Sequence, residues 1–472
     1  MVNLLRSVLL VAIASAVVHA QSIVVSADSA ARTAMTLYSN AAIVRHWFDV
    51  TLPKGERSIR IERLPEMISP TSVVVRPSTA DVVVTWQTLN TSSVSASDML
   101  QSYVGRSVVL RQPSGIVEGE LLAPPVTMVG GGQPCYVGAV IRTRSGELLV
   151  SPCGELVLPA PAPAVNLTPT LVASLVNRGS STRSSLETVY QCDGLQWEAT
   201  YTATLLDDRQ LQLEGRVHIL NSTRSSFRCD RLQLVAGSVN LRRKLARPNV
   251  EFMTAARTMA ASDDVPAREQ LDEYHLYTIS SGATIAANTT TTLALRPPTT
   301  LPYVRRAIVW GRYYPAYQMR ESDSVELAVS NVVEFVNTPS DSQPLPAGTV
   351  RVWRRDQGGT LQLLGEDDIS HTPFGDKIAL TIGDVFDLRA VRKEVNYARI
   401  ADRAAQYTVE YTVRNGSPSA RDVTVVESFA GAWTITDSTV PFAKRSSSRA
   451  EFTVNVPARG ATTFRYTVRH SW

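Results

Sequence analysis

Residues 197–219 read WEATYTATLLDDRQLQLEGRVHI, and their pattern indicates a β fold. Apolar and polar residues alternate over 197–205, and the alternation returns over 211–219. A period of two is typical of a strand with one buried and one exposed face. The polar segment 207–209 between the two halves predicts a turn. An apolar run at 232–239 follows, so the stretch predicts an antiparallel meander.

The same strand patterns continue through the rest of the chain. No segment after residue 20 keeps a 3.6-residue apolar repeat for more than about two turns. The best short helix lies at 96–103. We therefore expect a multi-domain, all-β protein.

Turn residues and shifts in composition predict the domain order. The short strands of 103–158 indicate a small barrel, and the Pro/Ala stretch 159–164 predicts a semi-rigid spacer. The regular strand spacing at the C-terminus is typical of an immunoglobulin-like sandwich. The expected segments are a signal peptide at 1–20, an N-terminal β domain at 21–90, a small β-barrel-like unit at 91–165, a larger central β-sandwich-type domain at 166–399 with a mobile loop at 241–268, and a C-terminal immunoglobulin-like module at 400–472.

Composition excludes some classes of function. The chain has 472 residues, 47 of them Lys or Arg and 43 Asp or Glu, which gives a net charge of +4. Such a weak charge does not fit a protein that binds nucleic acid by electrostatic attraction. The length is sufficient to bury hydrophobic cores without a metal or cofactor. We therefore expect no nucleic-acid partner and no cofactor.

The N-terminus has the pattern of a secretory signal peptide. Arg6 precedes an apolar run at 8–18, which ends in Val18-His19-Ala20. The run is shorter than the roughly 20 residues that span a bilayer. We expect cleavage after Ala20, export to the periplasm, cell surface or medium, and no transmembrane segment in the mature chain. An uncleaved signal anchor is the alternative.

Export would place the four cysteines in an oxidising compartment. Cys135 and Cys153 flank two apolar runs that a turn at 144–146 joins, so a hairpin would bring them opposite each other. That pairing leaves Cys192 to bond with Cys229, although four cysteines allow three connectivities. No CxxC spacing and no nearby histidine accompanies them, so we expect structural disulfides and no metal site.

The most reactive-looking cluster combines Asp367 and Asp368 with His371. Carboxylates near a histidine can orient a general base or bind a metal. The alternative, which we favour, is that His371 organises a turn through backbone hydrogen bonds. These three residues are therefore only weak catalytic candidates, and we expect no catalytic site.

An aromatic cluster at 310–317 is the main candidate for ligand binding. Trp310, Tyr313, Tyr314 and Tyr317 could stack on the apolar faces of sugar rings while their polar tips stay hydrated. The alternative, again favoured, is that they fill a core and seal a domain junction.

Several segments together resemble one bacterial family. They are YQCDGLQWEATY at 190–201, LQLEGRVHILN at 211–221, LPAG at 345–348 and LGE at 364–366. In this order they resemble a domain of unknown function found in mucoidy-inhibitor-like proteins, and the resemblance covers most of 103–472. It implies an association with the cell envelope or its polysaccharide, but no reaction and no catalytic residues. Members often carry a long coiled coil where this chain has a β unit.

Taken together, these observations predict an exported, non-catalytic protein that binds or scaffolds at the cell envelope. Its partners would be an envelope polysaccharide or protein. Two alternatives stay open: a hydrolase that acts on envelope polysaccharide or peptide, and a passive spacer that holds its end domains apart.

Overall fold

The computed structural model describes residues 22–91, 96–129, 134–159, 168–237, 267–271, 274–279, 282–311, 324–338 and 344–471. The fold is multi-domain and all-β, which confirms the predicted class. The single α-helix in these ranges, α1, spans Ala96–Ser102 and matches the predicted short helix. No helix in the described ranges is long and apolar enough to cross a membrane. The predicted signal peptide at 1–20, residues 160–164 of the predicted spacer and residues 241–266 of the predicted loop lie outside the described residues.

Strands and short turns make up the first part of the chain. Two 3-10 turns lie at Ala27–Ser29 and Pro70–Ser72. The strands are β1 Ile23–Ser26, β2 Arg32–Leu37, β3 Ala42–Thr51, β4 Gly55–Glu62, β5 Val74–Pro77, β6 Val82–Asn90, β7 Ser107–Gln112, β8 Gly115–Ala123, β9 Thr127–Val129, β10 Cys135–Val137, β11 Val140–Thr143, β12 Leu148–Val150, β13 Glu155–Val157, β14 Thr170–Asn177 and β15 Arg183–Cys192.

Longer strands dominate the second part. They are β16 Leu195–Leu205, β17 Gln210–Asn221, β18 Phe227–Cys229, β19 Arg231–Ala236, β20 Ala267–Leu271, β21 Tyr274–Ile279, β22 Ala283–Ile285, β23 Thr289–Trp310, β24 Val325–Val336, β25 Gly348–Arg355, β26 Leu361–Ile369, β27 Lys377–Ala401, β28 Ala404–Asn415, β29 Arg421–Ser428, β30 Ala432–Ser438, β31 Phe442–Ser446, β32 Arg449–Val456 and β33 Ala461–Ser471.

The chain divides into two compact units that do not follow the order of the predicted segments. The first comprises Met1–Gln196, Leu220–Gln233 and Ser281–Thr289, and the second comprises Trp197–Ile219, Leu234–Ser280 and Thr290–Trp472. The boundary predicted near residue 166 falls inside the first unit. There β14 pairs with β4 and β6, and β15 pairs with β3 and β5. Non-local strand pairing of this kind leaves no mark in the local sequence pattern.

The predicted small unit is a five-stranded antiparallel sheet in the order β12-β11-β8-β7-β13. Its own apolar core includes Val108, Leu110, Leu121 and Ile141, all of them buried. Val140 and Ile141 pair across to β12, which confirms the predicted hairpin between the first two cysteines. Those two cysteines form the Cys135–Cys153 disulfide.

The second unit is built on one large sheet with a two-layered C-terminal part. The strand order runs β26-β25-β16-β17-β23-β24-β27-β28-β33-β30, and β29, β32 and β31 form a branch beside β23. Tyr411 and Phe464 from one layer share a buried core with Val425 and Phe452 from the other. Apolar and polar residues alternate along β28 and β33, and the apolar ones face this core, as the sequence predicts for a sandwich.

Candidate functional site

A cavity of about 690 Å³ opens in the first unit. Its lining comes from the turn Ala27–Ser29, from β2, β3, β15 and β22, and from the segment 224–230. Most of the lining side chains are polar or charged. Polar groups that an apolar ligand covers would lose their hydrogen bonds to water, so this lining fits a polar ligand better.

Three buried polar side chains form a hydrogen-bonded chain in the cavity wall. His46 Nδ1 lies 3.0 Å from Thr33 Oγ1, and His46 Nε2 lies 2.9 Å from the Tyr190 hydroxyl. The exposed fractions of Thr33, His46 and Tyr190 are 6%, 4% and 1%. Strand register places them together, because Thr33 is opposite His46 on β2 and Tyr190 belongs to the neighbouring β15.

Burial keeps this chain neutral. Desolvation lowers the pKa of His46 to about 4, although the nearby Asp28 carboxylate opposes the shift. Desolvation also raises the pKa of Tyr190 well above its ordinary value, with smaller contributions from Cys192 and Cys229. The imidazole and the phenol are therefore both uncharged near pH 7.

The Thr33–His46–Tyr190 chain has three donor hydrogens, but its two internal hydrogen bonds use only two of them. A neutral imidazole supplies one N–H donor and one acceptor nitrogen, and each hydroxyl supplies one O–H. Two of these three hydrogens occupy the links to His46, so the third belongs to the hydroxyl at one end of the chain. In the described part of the molecule, no protein acceptor lies within hydrogen-bond distance of either hydroxyl apart from His46. The Thr33 or the Tyr190 hydroxyl can therefore donate to a group in the cavity.

Charged side chains surround this neutral wall. Arg63 Nη1 lies 2.7 Å from Asp28 Oδ2, and Arg63 has a φ of 60°, which is unfavourable for a residue with a side chain. Asp230 holds Thr33 at two points, since its Oδ2 accepts from the Thr33 amide and its own amide donates to the Thr33 carbonyl. Arg224 and Arg228 are exposed and line the cavity, and their guanidinium groups form no ion pair within the described ranges.

The catalytic candidates from the sequence do not come together as a reactive site. Asp367 and Asp368 are neighbours on β26, so they point to opposite faces of the sheet. Asp367 Oδ2 accepts from the Thr381 amide at 2.7 Å, and Asp368 Oδ1 accepts from the Thr349 hydroxyl at 2.7 Å. His371 Nδ1 accepts from the Ala347 amide, which lies 24 residues away in sequence, so this bond joins two segments and does not test the predicted local turn. No group of three or more potential metal ligands occurs among the residues described here.

The aromatic candidates are only partly described. Trp310 is the last residue of β23, and its side chain is 46% exposed. Tyr313, Tyr314 and Tyr317 lie outside the described residues. The proposed aromatic platform therefore stays a prediction.

The second predicted disulfide is wrong in this structure. Cys192 and Cys229 are both buried free thiols. Cys192 ends β15 opposite Ala42, whereas Cys229 belongs to β18 and pairs with Ala283 in a separate two-stranded ladder. The strands that carry Cys192 and Cys229 therefore belong to different sheets. Burial raises the pKa of Cys229 to about 12 and raises that of Cys192 as well, so both thiols stay protonated.

Sequence reasoning missed the cavity, although one signal for it exists. The buried face of β3 is formed by Ala42, Val44, Phe48 and Val50, and His46 occupies the same face. A histidine among apolar residues at a period of two marks a buried polar group that needs partners. The partners themselves lie 13 and 144 residues away in the chain, so the sequence does not identify them.

Comparison with known proteins does not assign the chain to a family. No family model matches the chain, and no curated protein matches its sequence. The resemblance to mucoidy-inhibitor-like proteins therefore stays a prediction.

Proposed function

We propose that the chain is exported and acts as a non-catalytic binding or scaffolding protein of the cell envelope, with the cavity of the first unit as its binding site. The leader-like N-terminus supports export. The Cys135–Cys153 disulfide supports an oxidising compartment, where such bonds persist. The resemblance described above supports the envelope as the place of action.

The protonation state of His46 carries the choice of binding over catalysis. A general base works best when its pKa is near the operating pH. The pKa of His46 is about 4, and both ring nitrogens are already hydrogen-bonded to hydroxyl groups. This histidine is suited to holding two hydroxyls in place and is poorly suited to accepting a proton from a substrate.

The two other hypotheses have less support. The hydrolase hypothesis relied on Asp367, Asp368 and His371, and each of these side chains has a structural hydrogen bond instead. The spacer hypothesis gives no role to a polar cavity of about 690 Å³. Binding in the cavity gives that cavity a role and needs no reactive group at Asp367, Asp368 or His371.

A glycan array of cell-envelope polysaccharide fragments tests this function. The exported chain, without residues 1–20, should retain at least one glycan, and mass spectrometry should find no shortened product. Thr284→Trp places a large side chain in the cavity lining and should abolish retention. Thr434→Trp is the matched control, because Thr434 is an exposed strand threonine on β30. Retention that Thr284→Trp leaves unchanged, or steady release of shortened glycan, would overturn the proposal.

A further inference from the structure

We infer that the cavity binds a sugar acid, with a carboxylate held by Arg224 and Arg228 and a ring hydroxyl held by the Thr33–His46–Tyr190 chain. This inference rests on the proposed function and names its ligand class. Neither the family resemblance nor the candidates from the sequence assign any ligand to these residues.

The charges of the lining favour an anion. Three arginines and two aspartates line the cavity. Both aspartates already have partners, since Asp28 pairs with Arg63 and Asp230 accepts from the Thr33 amide. The guanidinium groups of Arg224 and Arg228 form no ion pair within the described ranges. The nearby Glu66 carboxylate accepts from the Arg224 amide and does not line the cavity. Arginine binds carboxylates through paired N–H donors, so these two side chains are suited to that ligand.

The balance of charge favours a carboxylate over a phosphate. Three positive and two negative side chains leave a net charge of +1 on the lining, and His46 adds none at neutral pH. A monoanion matches this excess. A phosphate dianion would carry more charge than the lining neutralises and would face the carboxylates of Asp28 and Asp230.

The hydroxyl groups of the lining favour a ligand that is itself rich in hydroxyls. The Thr33–His46–Tyr190 chain has one O–H hydrogen to donate, and its two ends are hydroxyls that also accept. Ser226 Oγ accepts from the Ala287 amide, so its own hydrogen is available as a donor. A sugar ring presents several O–H groups that can pair with such groups, whereas a simple fatty or aromatic acid presents none.

Calorimetric titration of the full exported chain at fixed salt tests this inference. The probes are an oligosaccharide of glucuronic acid, a glucose oligosaccharide of the same length, and inorganic phosphate. The acidic oligosaccharide should bind at least about tenfold more tightly than either of the others, because hydrogen bonds to charged groups are worth that much. The double variant Arg224→Gln/Arg228→Gln should lose at least about tenfold in affinity for it.

Arg183→Gln is the matched control, since Arg183 is an exposed arginine of the same unit at the far end of β15. It should bind like the unsubstituted chain. Equal binding of the acidic and neutral oligosaccharides, or equal affinity in the double variant and the control, would overturn the sugar-acid inference. Tighter binding of phosphate would overturn it too.

The outcome also separates this inference from the function on which it rests. If Thr284→Trp abolishes binding of the neutral oligosaccharide, the cavity is a binding site and only the ligand class is wrong. If no envelope glycan and no oligosaccharide binds in the cavity, both the inference and the proposed function fail.

Discussion

Each of the two units buries a polar cluster. The clusters differ in their charge and in whether a cavity lies beside them. In the first unit, the Thr33–His46–Tyr190 chain is neutral and borders a cavity. In the second, Arg392 and Glu427 form a buried ion pair at 3.4 Å, with exposed side-chain fractions of 5% and 2%.

In the described part of the chain, other groups pack against both carboxylate oxygens of Glu427. Tyr411 donates its hydroxyl to Glu427 Oε1 at 2.5 Å. A Cβ atom at Gly311 would lie 2.5 Å from Glu427 Oε2, so the backbone packs directly on the carboxylate. A buried polar cluster therefore indicates a binding site only where it also borders a cavity. The ion pair should matter for stability, and the neutral chain for stability and binding.

Loss of the ion pair should have the largest effect. Glu427→Gln would remove the carboxylate that forms an ion pair with the buried Arg392 guanidinium, and breaking such a pair typically costs about 3–5 kcal/mol. We expect a loss of that order in the free energy of unfolding, measured by urea denaturation. Glu366→Gln is the control, because the Arg351–Glu366 pair is exposed and should contribute less than about 1 kcal/mol. Similar losses in both variants would remove the contrast between buried and exposed pairs.

The pH dependence of stability should show the neutral state of His46. Its pKa falls from 6.5 in the unfolded chain to about 4 in the fold, so the unfolded state binds more protons between these values. Stability should therefore decrease as the pH falls from about 6.5 to 4, by about 3 kcal/mol from this residue.

His46→Gln should lack that part of the pH dependence, whereas His371→Gln should keep it, because His371 is exposed. Unfolding curves recorded between pH 7 and pH 4.5 measure the difference. An unchanged pH dependence in His46→Gln would mean that the imidazole is not held neutral.

A smaller effect is expected at the end of the neutral chain. Tyr190→Phe removes the partner of His46 Nε2 and leaves a buried polar nitrogen unpaired, which costs about 1–3 kcal/mol. Tyr38→Phe is the control, since Tyr38 is only half-buried and its hydroxyl has no hydrogen-bond partner in the described ranges. If thermal unfolding shows equal stability for the two variants, the hydrogen bond between Tyr190 and His46 does not stabilise the fold.

The smallest effect should come from the surface histidine. His371→Ala removes one exposed acceptor of a backbone amide and should lower stability by less than about 1 kcal/mol. Any hydrolytic activity of the chain should survive this change. Loss of a robust turnover at an unchanged melting temperature would instead give His371 a catalytic role.

Local pattern predicted local structure well. The alternation over 197–205 and 211–219 corresponds to β16 Leu195–Leu205 and β17 Gln210–Asn221. The apolar runs and turn between Cys135 and Cys153 predicted their disulfide. These features depend on neighbours in sequence, which periodicity and turn residues reveal.

Features that depend on distant partners were not predicted. The pairing of Cys192 with Cys229 followed only from elimination, and it failed because their positions depend on strands elsewhere in the chain. The cavity likewise joins β2, β3 and β15 to the segment 224–230. Only the position of His46 on the buried face of β3 indicated that a polar group is buried there. The neighbouring sequence did not reveal which residues it contacts.

The protonation of His46 decides whether the Thr33–His46–Tyr190 chain is a neutral part of the cavity wall that presents hydroxyl groups to a ligand. NMR of the chain with labelled histidine can follow the ring nitrogens of His46 during a pH titration. We expect a neutral imidazole at pH 6.5 that becomes half protonated only near pH 4, and a shift of these signals when the glucuronic acid oligosaccharide is added. Titration of His46 near pH 6.5, with no response to the oligosaccharide, would contradict this expectation.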